Sequence, residues 1–338
     1  MALKFTHKDM RGVVSMNPTP STPNAGSWRE TMSVDLKKAE ELFNKTLASG
    51  TNGYALCGTT GECSALLWEE KVAYIKTAVE TVKNRGYIFA GCTALGTKEV
   101  IRQMREMQKV GATGAFVGLP LWQTPTIENS VAFYADLAEA VPDFAVMIYS
   151  NSSFFKTNFP HAFWKGIGQK GHNVVTNKIT YTSEDLDKDM DVCPNVQFLP
   201  ALGSLINLSR KHPGRLHGTW TTQPYPEIMA AIVKAVEAKD ADGLARIEAD
   251  LKAWPSRNPK PVTPEPEGND WTVKMAREFA HYNAQVERES WNASKFLPGG
   301  VGPARPPYTD LPDRWKESTA VWAKAGDEII KKYQPVKK

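Results

Sequence analysis

The stretch AVMIYSN, residues 145–151, followed by VVTNKIT, residues 174–180, decides how this chain folds. Each is short, apolar and rich in strand formers, and each reads as a buried strand. Between them, residues 159–168 carry an apolar pattern that fits a short helix starting after Asn158 and stopping at glycine. Strand, helix, strand predicts a parallel pair with Tyr149 and Lys178 at neighbouring carboxyl ends. A lysine inside an otherwise apolar strand is unusual. Burial penalises its charge and lowers its pKa, and a neutral amine attacks carbonyl carbon. Taken alone, Lys178 reads more readily as a side chain snorkelling from a strand end into solvent.

Outward from this pair the same alternation continues in both directions. Strands are expected at residues 12–16, 54–57, 88–92, 115–118, 196–200 and 216–220. Amphipathic helices are expected at 34–49, 68–83, 97–110 and 127–140, the first stopped by Gly50. Eight strand–helix units within about 220 residues fit a (β/α)8 TIM barrel. A doubly wound sheet is the competitor, but its G-x-G-x-x-G signature is absent. After Trp220 the strand rhythm stops, and helices are expected at 225–238, 241–254, 271–284 and 315–333. The expected division is therefore a barrel over residues 1–224 and a C-terminal helical region over 225–338.

Composition narrows the function. The chain has 338 residues, 41% of them hydrophobic and 23% charged, which is ordinary for a soluble globular protein. A net charge of +4, with both signs well mixed, gives no argument for nucleic acid. No apolar run approaches the roughly 20 residues of a membrane helix, and residues 1–11 carry no signal-peptide core. Neither membrane nor nucleic acid is expected as a partner. The four cysteines form no C-x-x-C pair and no histidine stands at zinc-ligand spacing from them. Free thiols in a reducing cytoplasm are expected, with no metal and no organic cofactor.

Chemistry in such a barrel sits at the carboxyl ends of the strands. The residues expected there are Thr59, Thr60, Trp122, Tyr149, Asn151, Lys178 and Trp220. Gly58-Thr59-Thr60-Gly61 combines exposed backbone N–H groups with two hydroxyls, a set that suits a carboxylate; it also reads as an ordinary turn capping a helix. Asn151 equally reads as a turn cap, and Trp122 and Trp220 as core or interface residues.

With Gly58-Thr59-Thr60-Gly61-Glu62, Tyr149 and Lys178 in register, the chain resembles the dihydrodipicolinate synthase and N-acetylneuraminate lyase superfamily of Schiff-base aldolases. It is most similar to the aromatic branch, the trans-o-hydroxybenzylidenepyruvate and 2'-carboxybenzalpyruvate hydratase-aldolases. The segments that carry this closer likeness include residues 18–23 with Trp28-Arg29, Thr93-Ala94-Leu95, residues 100–103, Phe159-Pro160 with Phe163-Trp164, Trp220, and residues 305–308. The resemblance runs from the first strand to about residue 315. It implies a homotetramer and degradation of polycyclic aromatics. It also implies that Lys178 forms an imine with a 2-oxo acid, that Tyr149 moves protons, and that Asn151 holds the C4 oxygen or the attacking water. Gly58, Thr59 and Thr60 would bind the carboxylate, and Trp220, Trp122 and Phe154 the aromatic ring. Phe154 stands near the place where dihydrodipicolinate synthase has an arginine for its aldehyde's carboxylate, which favours a flat aromatic substrate. The rival readings are a lyase or synthase of the same superfamily acting on a sugar acid or other aliphatic 2-oxo acid, a non-catalytic barrel that binds a 2-oxo acid, and a metal-dependent aldolase. The last would need a carboxylate and histidine cluster that the sequence lacks.

Overall fold

The structure, a computed structural model, describes residues 3–17, 19–22, 25, 29–61, 63–180, 185–221 and 226–253, with positions 324, 328–329 and 331–333 near the C-terminus. Eight parallel strands lie in the order β7-β6-β5-β4-β3-β2-β1-β8. They are β1 Gly12–Ser15, β2 Thr51–Leu56, β3 Tyr87–Gly91, β4 Gly114–Val117, β5 Ala145–Ser150, β6 Val174–Ile179, β7 Gln197–Leu199 and β8 Gly218–Thr221. β1 pairs with both β2 and β8. The remaining seam closes near the carboxyl end, where Ala201 bridges Trp220 and the Trp220 N–H donates to the Pro200 carbonyl at 3.1 Å. The result is the expected (β/α)8 barrel. β3, β5 and β6 are buried along their whole length, as strands covered on both faces must be.

The outer layer is α1 Leu36–Ala48, α2 Trp68–Val82, α3 Thr97–Val110, α4 Ile127–Ala140, α5 Ser152–Phe155, α6 His161–Lys170, α7 Leu186–Val192, α8 Leu202–Lys211, α9 Pro226–Glu237 and α10 Ala241–Ala253. Local sequence starts these helices where capping chemistry allows. The Asp35 carboxylate accepts the Lys38 N–H at 3.0 Å and the Thr126 hydroxyl accepts the Asn129 N–H at 3.2 Å, each satisfying a donor that the first helical turn leaves free. α1 turns Ala39, Leu42, Phe43 and Thr46 inward.

Four elements differ from the sequence reading, among them the short α5, where no helix was expected. α6 neither begins at 159 nor stops at Gly168; Pro160 is its N-cap and Gly171 its end. Gly168 is inside the helix for a packing reason, since a Cβ there would lie 1.9 Å from the Val192 carbonyl oxygen at the end of α7. Helices α7 and α8 were not expected. Leu205, Ile206 and Leu208 of α8 are nonetheless buried. α9, which the sequence assigns to the C-terminal region, packs over β1 and β8 and so covers the strands that close the barrel. The helices expected at 271–284 and 315–333 lie outside the described residues, apart from the few positions already given. There, Tyr333 and Lys332 donate to the Asp250 carboxylate of α10 at 2.5 and 2.6 Å.

One backbone contact ties the barrel to its mouth. Gly91, last residue of β3, lies so close to the chain after β2 that a Cβ would fall 2.1 Å from the Cys57 carbonyl oxygen. Gly91→Ala should therefore destabilise the protein by about 1–3 kcal/mol, the range for forcing extra atoms into a packed interior, read as a lower denaturant midpoint at unchanged slope.

Candidate active site

Tyr149 and Lys178 are direct neighbours in the β5–β6 register. Their side chains meet at the carboxyl end of the barrel beside the turn that follows β2. That turn is launched by Cys57, a non-glycine residue held at φ 54°, in the sparsely populated left-handed region. The Cys63 N–H closes the turn on the Gly58 carbonyl at 3.1 Å. From the loop after β1, the buried Thr19 hydroxyl donates to the Gly61 carbonyl at 2.9 Å. Met16, Ala55, Gly58, Thr59, Thr60, Gly61, Phe116, Tyr149 and Lys178 line a small cavity.

The Lys178 side chain is 5% exposed. Its Nζ lies 4.2 Å from the centre of the Tyr149 ring and 3.8 Å from that of Trp220. Burial alone pushes its pKa down from an ordinary 10.5 to about 7; among the described residues no carboxylate offsets the loss of hydration. The Tyr149 phenol is pushed the other way. Burial raises its pKa, while hydrogen bonds with Thr59 and Asn151 act against that rise. The phenol oxygen is 3.3 Å from the Thr59 hydroxyl, and the Asn151 amide donates to it at 3.4 Å. At neutral pH the pair is thus a protonated phenol beside an amine that is neutral in a large fraction of molecules.

Around them, β5 and β6 are clipped together. The buried Ser150 hydroxyl donates to the Lys178 carbonyl at 3.1 Å, and the Thr180 hydroxyl donates to the Ser150 carbonyl. The Trp220 indole N–H donates to the Ile179 carbonyl at 2.8 Å. Phe116 stacks on Tyr149 with ring centres 4.9 Å apart, and Phe155 meets it edge-on at 5.2 Å.

Of the residues expected at the site, Gly58, Thr59, Thr60, Tyr149, Asn151, Lys178 and Trp220 come together. Asn151 also caps a turn, its side-chain oxygen accepting the Phe154 N–H at 3.2 Å at the start of α5. Phe154 is half-buried at the edge of the cluster, its ring 6.4 Å from that of Tyr149. Trp122 does not join them. It is 75% exposed on the loop after β4, and Lys156 holds its backbone carbonyl, not its ring. Met16, Ala55, Phe116 and Ser150 were not singled out from sequence. Apolar residues at strand ends give no signal separating pocket wall from core, and Ser150 is visible only as the neighbour of Tyr149. Glu62 and residues 18, 23, 28 and 305–308, quoted for the resemblance, lie outside the described residues. So do residues 181–184 and 222–225, which follow β6 and β8. Among the described residues no group of histidine, cysteine, aspartate and glutamate could hold a metal ion, and no helix is long and apolar enough to cross a membrane.

A parallel (β/α)8 barrel with a desolvated lysine and a tyrosine side by side at its carboxyl mouth defines a class of carbonyl-handling barrels. The chain belongs to the dihydrodipicolinate synthetase family, whose model matches residues 21–176. It is 36% identical to the trans-O-hydroxybenzylidenepyruvate hydratase-aldolase of Pseudomonas putida, over 95% of this chain and 95% of that one. It is 27% identical to the trans-2'-carboxybenzalpyruvate hydratase-aldolase of a Nocardioides species, over 97% and 96%. Among solved structures it superposes on PhdJ bound to a substrate intermediate with a TM-score of 0.84, at 28% identity, covering 98% of this chain and all of that one.

Burial of an amine has a consequence for stability that is independent of any reaction. The folded-state pKa of about 7 lies below the ordinary 10.5 of the unfolded chain. Between these values the unfolded state binds more protons, so wild-type stability rises with pH; below about 7 the penalty is present in full. It is on the order of 5 kcal/mol as an upper figure. Lys178→Met should therefore raise the melting temperature, more at pH 6 than at pH 9, in a thermal-unfolding series across that range.

Proposed function

We propose that the protein is a class I hydratase-aldolase, a carbon–carbon lyase that cleaves an aromatic benzylidenepyruvate, with a 2'-hydroxy or 2'-carboxy ring, to an aromatic aldehyde and pyruvate. The observation that carries this reading is the Lys178 amine, buried against Tyr149 with no counter-charge among the described residues, above a turn of backbone N–H groups and hydroxyls.

The neutral amine attacks C2 of the 2-oxo acid, and loss of water gives an iminium conjugated to the C3=C4 bond. The substrate carboxylate rests on the turn at Gly58, Thr59 and Thr60. Water adds at C4, its proton going to a base at the site while the C3=C4 electron pair moves into the iminium to give an enamine, and protonation of that enamine at C3 restores the iminium. Deprotonation of the new C4 hydroxyl then breaks the C3–C4 bond, with the iminium taking up the electron pair. The aldehyde leaves, the enamine is protonated at C3, and hydrolysis of the imine releases pyruvate and the free amine. One water is consumed overall. Tyr149, a protonated phenol in contact with Thr59 and Asn151, is the group that moves protons at C2 and C4. Asn151 holds the C4 oxygen or the incoming water. Phe154 and the outer part of Trp220 give the ring an apolar surface.

The relatives' names support the aromatic 2-oxo acid over a sugar acid. Degradation of polycyclic aromatics is the setting this chemistry serves, and the free cysteines of the described residues fit a cytoplasmic location. We place the protein in a homotetramer. Trp122, Leu121 and Leu95 support a subunit contact, since they leave apolar side chains exposed on adjoining loops.

Incubation with pyruvate and borohydride should leave a reduced adduct on Lys178 by mass spectrometry, absent in Lys178→Ala; no adduct on folded wild-type protein would overturn the reading. Trapping should strengthen as pH rises through about 7, because deprotonation creates the nucleophile. Tyr149→Phe should lose about a hundredfold or more in kcat with the benzylidenepyruvate, within the range for removal of a general acid–base group.

A further inference from the structure

The least expected feature of the site is the position of the Trp220 ring. An indole that served only as a platform for the substrate's aromatic group would face open space, away from the reacting nitrogen. Here its face covers the Lys178 amine, with Nζ 3.8 Å from the ring centre, while the Tyr149 ring lies 4.2 Å from the same nitrogen. The ring is also fixed at both ends. Its indole N–H donates to the Ile179 carbonyl at 2.8 Å, one residue beyond the lysine, and its backbone N–H donates to Pro200 across the barrel seam at 3.1 Å. Trp220 therefore holds the strand end that carries the lysine and covers the lysine's nitrogen with one side chain.

We propose that Trp220 acts on the amine: with Tyr149 it forms a two-sided aromatic cage that excludes water from Nζ and aims it into the cavity, making Trp220 a positioning residue for imine formation. This deepens the reading of Lys178 as the imine-forming residue and rests on it. The cage works through two effects of opposite sign. The ring faces attract an ammonium, which holds the resting side chain in one place. Replacing water by carbon penalises the charge, and this effect dominates because no carboxylate among the described residues faces the amine. Among the described residues, the groups facing the amine offer little else that titrates. β5 presents the Tyr149 phenol, β8 Trp220, β1 Met16, β2 and its turn Ala55, Thr59 and Thr60, β4 Phe116, and β7 the apolar Leu199 paired with Lys178. Cys63 acts electrostatically on Tyr149, not on the amine.

Pyruvate alone tests this, because pyruvate carries no aromatic ring. The rate of borohydride trapping with pyruvate is measured against pH for wild type, Trp220→Phe, Trp220→Ala and Trp220→Gln, with circular dichroism as the folding check. Trp220→Phe keeps a ring over the amine and should hold the wild-type midpoint. Trp220→Ala should admit water and move the midpoint up by about one pH unit or more, so that trapping at pH 7 falls several-fold and recovers at higher pH. Trp220→Gln, which fills the space with a polar side chain, should shift the same way and serves if the alanine variant does not fold. An unchanged midpoint in the folded Ala or Gln variant, with a raised KM for the benzylidenepyruvate alone, would overturn the cage and leave Trp220 as a ring platform. Absence of any adduct in wild type is a different result, one that removes the imine itself.

Discussion

Everything at the mouth of this barrel depends on one unfavourable burial. An amine held at 5% exposure, with no carboxylate beside it among the described residues, loses most of its hydration and gains little charge compensation. A penalty of several kcal/mol is comparable with the whole net stability of an ordinary domain. A small scaffold could not carry it. A closed eight-stranded barrel can, because its strands are buried on both faces and its helical shell adds large buried side chains such as Trp164, Tyr74 and Phe43. The fold thus supplies the surplus that allows an uncompensated lysine to exist, and the clips from Ser150, Thr180 and Trp220 keep the strand ends from relaxing toward water.

The turn after β2 repeats the logic on the backbone. Cys57 is held at positive φ, a conformation unfavourable for a side-chain-bearing residue. It persists because Gly91 lets β3 approach to contact distance and because Thr19 ties down the far side of the turn. The strained residue presents Gly58, Thr59 and Thr60 to the cavity. Strain and desolvation are therefore concentrated on two adjoining features, and both are held by neighbours with few alternatives.

This division explains what the sequence could disclose. Tyr149 and Lys178 were legible because strand alternation is local and because a lysine amid valine, isoleucine and threonine breaks the composition of a buried strand. Thr59 and Thr60 were legible as hydroxyls between two glycines. Trp122 stands exposed on the loop after β4, a placement that depends on the path of the loop and that strand periodicity does not set. Phe116 and Met16 were invisible for the opposite reason: a pocket wall made of apolar strand ends has the same letters as a core. At the level of the fold, glycine was misread as a stop at Gly168, where it instead allows α6 to touch the end of α7. α7 escaped notice because it is only seven residues long and rich in aspartate.

The neutrality of the amine also bears on which substrates such a cavity accepts. A 2-oxo acid brings its carboxylate within one bond of the carbon to be attacked. A permanently charged lysine would pair with that carboxylate and be held away from C2, with its lone pair occupied by a proton. An amine with a pKa of about 7 escapes this pairing in a large fraction of molecules. In the proposed chemistry the carboxylate would then be left to the dipoles of the turn, which attract an anion without competing for the amine. Among the described residues that line the cavity, Lys178 is the one cationic side chain. With the carboxylate at the turn, as proposed, the described remainder of the lining would reward apolar area over a second charged group at the far end of an aliphatic substrate. Under the proposed chemistry, the aromatic rings over the amine would also bias the choice of partner aldehyde, so that nucleophile activation and substrate preference would follow from the same exclusion of water and charge.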